Sequence, residues 1–118
     1  MLNIGSGSKV YLVAGPTDMR KSFDTLATVV RTAIDADPLS GHLFVFCNRN
    51  RDRLKALIWE PSGFWLMAKR LEKGTFSWPD ASVSKVQYSA AELAALLEGL
   101  ELSGRRKKRF KGLKKITK

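Results

Sequence analysis

Thirty residues in the middle of the chain restrict the fold more than anything else in it. They read HLFVFC, NRNRDR, LKALIWE, PSG and FWLMAKRL. Three apolar runs, His42–Cys47, Leu54–Glu60 and Phe64–Leu71, are separated by one polar joint and one three-residue turn. Runs this short and this rich in β-branched and aromatic residues are strands, and Pro61-Ser62-Gly63 is a hairpin signal. Further short strands are expected at residues 9–14, with Tyr11 and Val13 on one face and Val10 and Leu12 on the other, at Thr75–Trp78 and at Lys85–Tyr88.

Two helices frame this run. Pro16 with Thr17 or Asp18 marks a helix start. Met19, Phe23, Leu26, Val30 and Ala33 or Ile34 then recur at helical spacing, and Asp37-Pro38 ends the pattern. Near the other end Ser89-Ala-Ala-Glu92 is a capping box, followed by Leu93, Leu96, Leu97 and Leu100 on one face. Ser103-Gly104 is the expected stop. The order is strand, helix, a run of antiparallel strands, helix. That is an α+β domain with a small, mostly antiparallel sheet.

At 118 residues there is room for one core. Residues 1–8 are a Gly/Ser-rich flexible start, 9–103 the domain and 104–118 a basic tail. The net charge is +10, but the tail (GRRKKRFKGLKKITK) holds nine Lys or Arg and no acid, which leaves twelve basic against eleven acidic groups before it. A block of one sign points to a polyanionic partner. No apolar run reaches the length of a membrane span, and the start lacks the order of a signal peptide. The single cysteine, Cys47, fits a buried side chain in a reducing cytoplasm.

Residues 15–22, GPTDMRKS, fall one letter short of a phosphate-binding loop, with Arg20 where the second glycine should be. Pro16 lacks an N–H, Asp18 sets a carboxylate where phosphate would sit, and no later strand ends in the aspartate that would help to hold magnesium. Nucleotide hydrolysis is therefore not expected. Arg20 and Lys21, read as lying in the first helical turn, are either an ion-pair cluster with Asp18 and Asp24 or a corner that contacts phosphate.

Arg49, Arg51, Arg53 and Lys55 alternate, so an extended chain would put all of them on one face. The hairpin would bring Lys55 towards Lys69 and Arg70, with Lys73 beyond, as one ridge able to follow a phosphate backbone. Trp59, Trp65 and Trp78, with Phe64 and Phe76, lie among these cations and suit either base stacking or, more simply, the core. The tail adds Arg105, Arg106, Lys107, Lys108, Arg109, Lys111, Lys114 and Lys115. Enzyme inventories fail. His42 is the only histidine, and Asp18, Asp52, Glu60 and Glu72 show no spacing that would hold magnesium. No cofactor is expected.

GPTDMRKSFDTL, then F-x-F-x-N-R-x-R-D-R-x-K through K-R-L-E-x-G-x-F-x-W-P, then LAALLEGLEL follow one another in an order and spacing that resemble a known family. It is the accessory protein from the second open reading frame of the IS sixty-six group of bacterial insertion sequences. The resemblance covers roughly residues 8–102. It implies an accessory to transposition, alongside a separate transposase that carries the catalytic carboxylates, and it implies no catalytic residue here. The expected partners are DNA, bound non-catalytically through the ridge and tail near the nucleoid, and the transposase. The alternative is a protein–protein adaptor for the transposase that does not read DNA.

Overall fold

A computed structural model describes residues 7–83 and 85–99. Strand β1 (Val10–Pro16) leads through helix α1 (Phe23–Ala33) to β2 (Leu43–Cys47), β3 (Arg53–Glu60) and β4 (Gly63–Arg70). Then come β5 (Lys85–Tyr88) and helix α2 (Ala90–Leu97). The sheet runs β4-β3-β2-β1-β5. The α1 crossover returns the chain in the same direction, so β1 and β2 are parallel. The other pairs, β2 with β3, β3 with β4 and β1 with β5, are antiparallel. The expected α+β fold is present.

Each face of the sheet carries its own core. Val13, Phe44, Phe46 and Leu57 meet Leu26, Ala27, Val30 and Ile34 on one face. On the other, Val10, Leu12, Val45 and Ile58 meet Leu93 and Leu96 of α2, with Phe76 and Trp78. The alternation expected of β1 is the one observed. In β2 all five residues are buried, because that strand is central and covered on both sides.

Helix α1 starts later than expected. Residues 17–21 form a turn in which Asp18 Oδ1 accepts the Arg20 N–H (2.9 Å) and Asp18 O accepts the Lys21 N–H. Ser22 is the N-cap, and its N–H donates to Thr25 Oγ1 at 2.8 Å. Arg20 and Lys21 therefore precede the helix instead of lying in its first turn. The apolar stripe shifts accordingly: Phe23 is 44% exposed and Ala33 is exposed. The helix closes at Ala33, before Asp37, because Asp35 is left-handed (φ 52°) and the Ala36 N–H reaches back to Val30 O. In α2 the capping box forms as expected, with Ser89 Oγ accepting the Glu92 N–H and Glu92 Oε1 accepting the Ser89 N–H. That helix ends at Leu97, with Gly99 at φ +81°; the stop expected at Ser103-Gly104 lies outside the described residues, as does Leu100.

Thr75–Trp78 is not a strand. It crosses the α2 face as a strap, held at single points and not by a ladder. The Phe76 N–H donates to Arg51 O (2.6 Å), and Trp78 Nε1 donates to Val13 O (3.1 Å). Beyond it the Gly15 N–H donates to Pro79 O, and Gly15 sits at φ +77° with space for a Cβ only 3.0 Å from the Ala81 Cβ. Gly15→Ala therefore combines left-handed strain with a steric clash and should cost about 1–2 kcal/mol in urea unfolding.

Candidate nucleic-acid interface

Asn48 builds the loop between β2 and β3. Its Oδ1 accepts the N–H groups of Asp52 and Arg53, both at 3.1 Å, and its Nδ2 donates to Asp52 Oδ1 at 2.8 Å. The Asn48 N–H donates to Arg53 O, and the Arg51 N–H donates to Asn48 O. Arg51 is held at φ 61°, a conformation that favours glycine or asparagine. Leu71 and Phe76 anchor the loop from outside through the carbonyls of Asp52 and Arg51. Arg49, Asn50 and Arg51 are thus exposed on a closed loop that is cross-linked at both ends. The alternating cations do not make one extended face: only Arg53 and Lys55 continue into the strand.

The β3–β4 register decides the rest. Arg53 lies opposite Arg70 and Lys55 opposite Ala68, so Arg53, Lys55 and Arg70 share the α1 face. Lys69 lies opposite Leu54 on the other face, where its Nζ donates to Leu97 O (2.7 Å) at the end of α2. There it complements the helix dipole and is separated from the ridge. Lys55 Nζ donates to Lys21 O (2.8 Å) and so pins the turn before α1 onto the sheet. Arg70 pairs with Glu72 at 3.1 Å, and Lys73 is exposed next to Gly74, just before the strap.

Two open clefts run along this end of the sheet. One, of about 620 Å³, is lined by residues 16–19 with Asn48, Arg49, Asn50, Asp52 and Arg53. The other, of about 410 Å³, is lined by Met19, Arg53, Lys55, Arg70 and Glu72 among others. Met19 and Arg53 belong to both, which makes them a single groove.

Arg20 is engaged by Asp18 through a bidentate pair, with Nη2 2.7 Å and Nε 3.1 Å from Oδ2. This hydrogen bonding pulls the Asp18 carboxyl down to about 2 and raises Arg20. The depressed value means that the pair stabilises the turn above the ordinary carboxylate range, and that this contribution is lost as pH falls through about 2. An NMR titration of Asp18 should show that midpoint, and Arg20→Ala should raise it towards the ordinary range, short of it because the residue-20 N–H still donates to the carboxylate. For Arg20, the ion-pair reading of GPTDMRKS is the one the geometry favours.

A nucleotide loop is excluded on the same grounds. The N–H groups of Gly15, Thr17, Arg20 and Lys21 are all committed within the chain, to Pro79 O, Cys47 O, Asp18 Oδ1 and Asp18 O. None converges on an anion. Among the described residues no group of three or more His, Cys, Asp or Glu side chains is placed to hold a metal. Asp18, Asp52, Glu60 and Glu72 instead meet Arg20, Asn48, Trp65 and Arg70. Burial pushes the Cys47 thiol up to about 12, as a core cysteine requires. His42 precedes β2, and its Nδ1 accepts the Lys9 N–H.

The aromatic side chains do not interleave with the groove's cations. Phe76 and Trp78 are buried, and Trp59 packs edge-on against Phe64 at 5.1 Å. Trp65 is 55% exposed but lies opposite Ile58, on the face away from Arg53 and Lys55. The tail cations from Arg105 to Lys115 lie outside the described residues. What the sequence reading missed is Asn48: an Asn-x-x-x-Asp frame around Arg49–Arg51 was the available sign of a side-chain-closed turn.

Residues 8–109 match the family described as IS66 Orf2 like protein. The chain belongs to that family. Its relatives include two proteins of Sinorhizobium fredii. "Uncharacterized protein y4hO" is 39% identical over 101 residues, covering 86% of this chain and 88% of the relative. "Uncharacterized protein y4jC" is 31% identical over 117 residues, covering 99% and 100%. No solved structure matches the chain. As an IS66 Orf2-like protein it is an insertion-sequence accessory protein, and the family is not a known catalytic one. Among the described residues, no helix is long and apolar enough to cross a membrane.

Proposed function

We propose that this accessory protein binds nucleic acid without catalysis. The closed loop would present Arg49 and Arg51, Arg53 and Arg70 would line the groove, and Lys73 would flank it. Lys21, Lys55 and Arg20 add positive field, with the Lys55 and Arg20 side-chain donors engaged on Lys21 O and Asp18, and the basic tail adds affinity without sequence choice. The observation that carries the reading is the Asn48-locked loop. It fixes two exposed arginines beside a groove whose central residue is a third, so little order has to be imposed on binding. Element DNA is the expected ligand, and the transposase is the expected protein partner.

The test is fluorescence anisotropy of labelled duplex and single-stranded oligonucleotides against salt, with the full chain. Arg49→Ala, Arg51→Ala and Arg53→Ala should each reduce the log–log salt slope by about 0.9 on duplex DNA. Lys69→Met, on the opposite face, should lower stability and leave the slope unchanged. Equal slopes for all of these variants would remove the groove from the interface.

One observation favours an adaptor instead. Asp18, Asp52 and Glu72 line the groove among its cations, a mixed pattern that suits a protein surface better than a uniform polyanion. Salt-insensitive capture of the transposase with no DNA present would support that second reading.

A further inference from the structure

We propose that a second copy of this chain pairs with the outer edge of β4, antiparallel and centred on Met67, so that two sheets join into one. β4 is an edge strand of eight residues, while the opposite edge, β5, has four. Its free side can be identified from the ladder. The Leu71 N–H bonds Asp52 O, which continues the register in which Arg53 faces Arg70. Hydrogen-bonded and non-bonded pairs alternate in an antiparallel ladder, so Phe64, Leu66, Ala68 and Arg70 turn their N–H and C=O groups outward. Among the described residues nothing bonds those groups.

The usual protections of an edge are missing. β4 contains no proline, its pairing with β3 shows no bulge, and its cations are confined to the last two positions. It also carries Trp65, the most exposed of the large apolar side chains among the described residues.

The sequence of β4 complements itself. A two-fold axis normal to the sheet keeps each face with its own kind, so residues of one parity meet residues of the same parity. Centring on Met67 sets Phe64 opposite Arg70 and Leu66 opposite Ala68, and gives every outward-facing residue a partner. Centring on Leu66 would leave Arg70 without one. In the Met67 register no cation faces a cation. Trp65 comes to lie across from Lys69, whose Nζ is already tethered to Leu97 at the end of α2. The tryptophan that one chain leaves uncovered is then covered by the α2 end of the other, beneath a cation suited to its ring. An extended segment of an unrelated protein could use the same backbone groups but would not supply this reciprocal match.

Sedimentation velocity of the nuclease-treated full chain at high salt tests the proposal, since nucleic acid then bridges no copies. A monomer–dimer equilibrium is expected across the micromolar range. Ala68→Pro removes an outward N–H and no bond to β3, so it should give a folded monomer whose thermal unfolding matches the wild type at concentrations where the wild type is itself monomeric. A chain carrying Trp65→Cys with Lys69→Cys supplies the register. Those positions are about 13 Å apart along one strand and cannot bond within it, so oxidation should yield a covalent dimer. A wild-type chain that stays monomeric, or a dimer that survives Ala68→Pro, overturns the proposal. A proline-sensitive dimer that does not cross-link overturns the Met67 register.

Discussion

Phe76→Ala should lower stability by about 3–5 kcal/mol, the usual cost of emptying a fully buried phenylalanine site. For a domain near 100 residues that corresponds to a fall in melting temperature on the order of 20 °C. Phe76 has no exposed surface, packs beneath the sheet with Val45 and Leu96, and fixes the strap that carries Trp78. Its N–H also holds Arg51 O at 2.6 Å; alanine keeps that N–H but loses the side chain that positions it, so the substitution loosens the 48–52 loop as well as the core. Amide exchange in residues 48–52 should therefore accelerate in Phe76→Ala even under conditions where the chain remains folded. Calorimetry and exchange measured on the same sample check both halves. A melting temperature within a few degrees of wild type would mean that the strap is dispensable.

Removing the tail should have the largest effect on binding. Stopping the chain after Ser103 deletes nine cations and no acid, whereas all the described elements end by Gly99. If most of those cations neutralise phosphates, the log–log salt slope should fall by several units and affinity near physiological salt by about a thousandfold or more. The loss should be the same on any duplex sequence, because phosphate contacts carry no sequence information. Thermal unfolding of the shortened chain should match the full chain, since every described core residue precedes the deleted segment.

The sequence carried the framework of the fold well and the site only in part. β1 and β2 were legible because burial on both sheet faces imposes alternation in one strand and an unbroken apolar run in the other. The capping box of α2 was legible because it is a local hydrogen-bond pattern. The start of α1 was not, since Asp18, as a turn former, imitates an N-cap while Ser22 takes that place. In the site, alternating Arg49, Arg51 and Arg53 imitate strand periodicity, and the side-chain bonds of Asn48, with backbone bonds from distant Leu71 and Phe76, make the segment a loop. Lys69 and Arg70 are neighbours in sequence, yet strand parity sends them to opposite faces. Whether Lys55 and Lys69 cap carbonyls or face solvent depends on contacts with residues 34 and 28 positions away, beyond what local spacing can express.

On the proposed function the folded body, and not the tail alone, engages nucleic acid through the Arg49–Arg53 groove. The most direct measurement is anisotropy of a labelled duplex with the chain stopped at Ser103, at low salt, against the same chain carrying Arg53→Glu. Residual binding by the shortened chain, with a measurable salt slope, and its loss on charge reversal at Arg53, is the predicted result. No binding by the shortened chain, or binding indifferent to Arg53→Glu, would contradict the claim and make the groove a protein-docking surface.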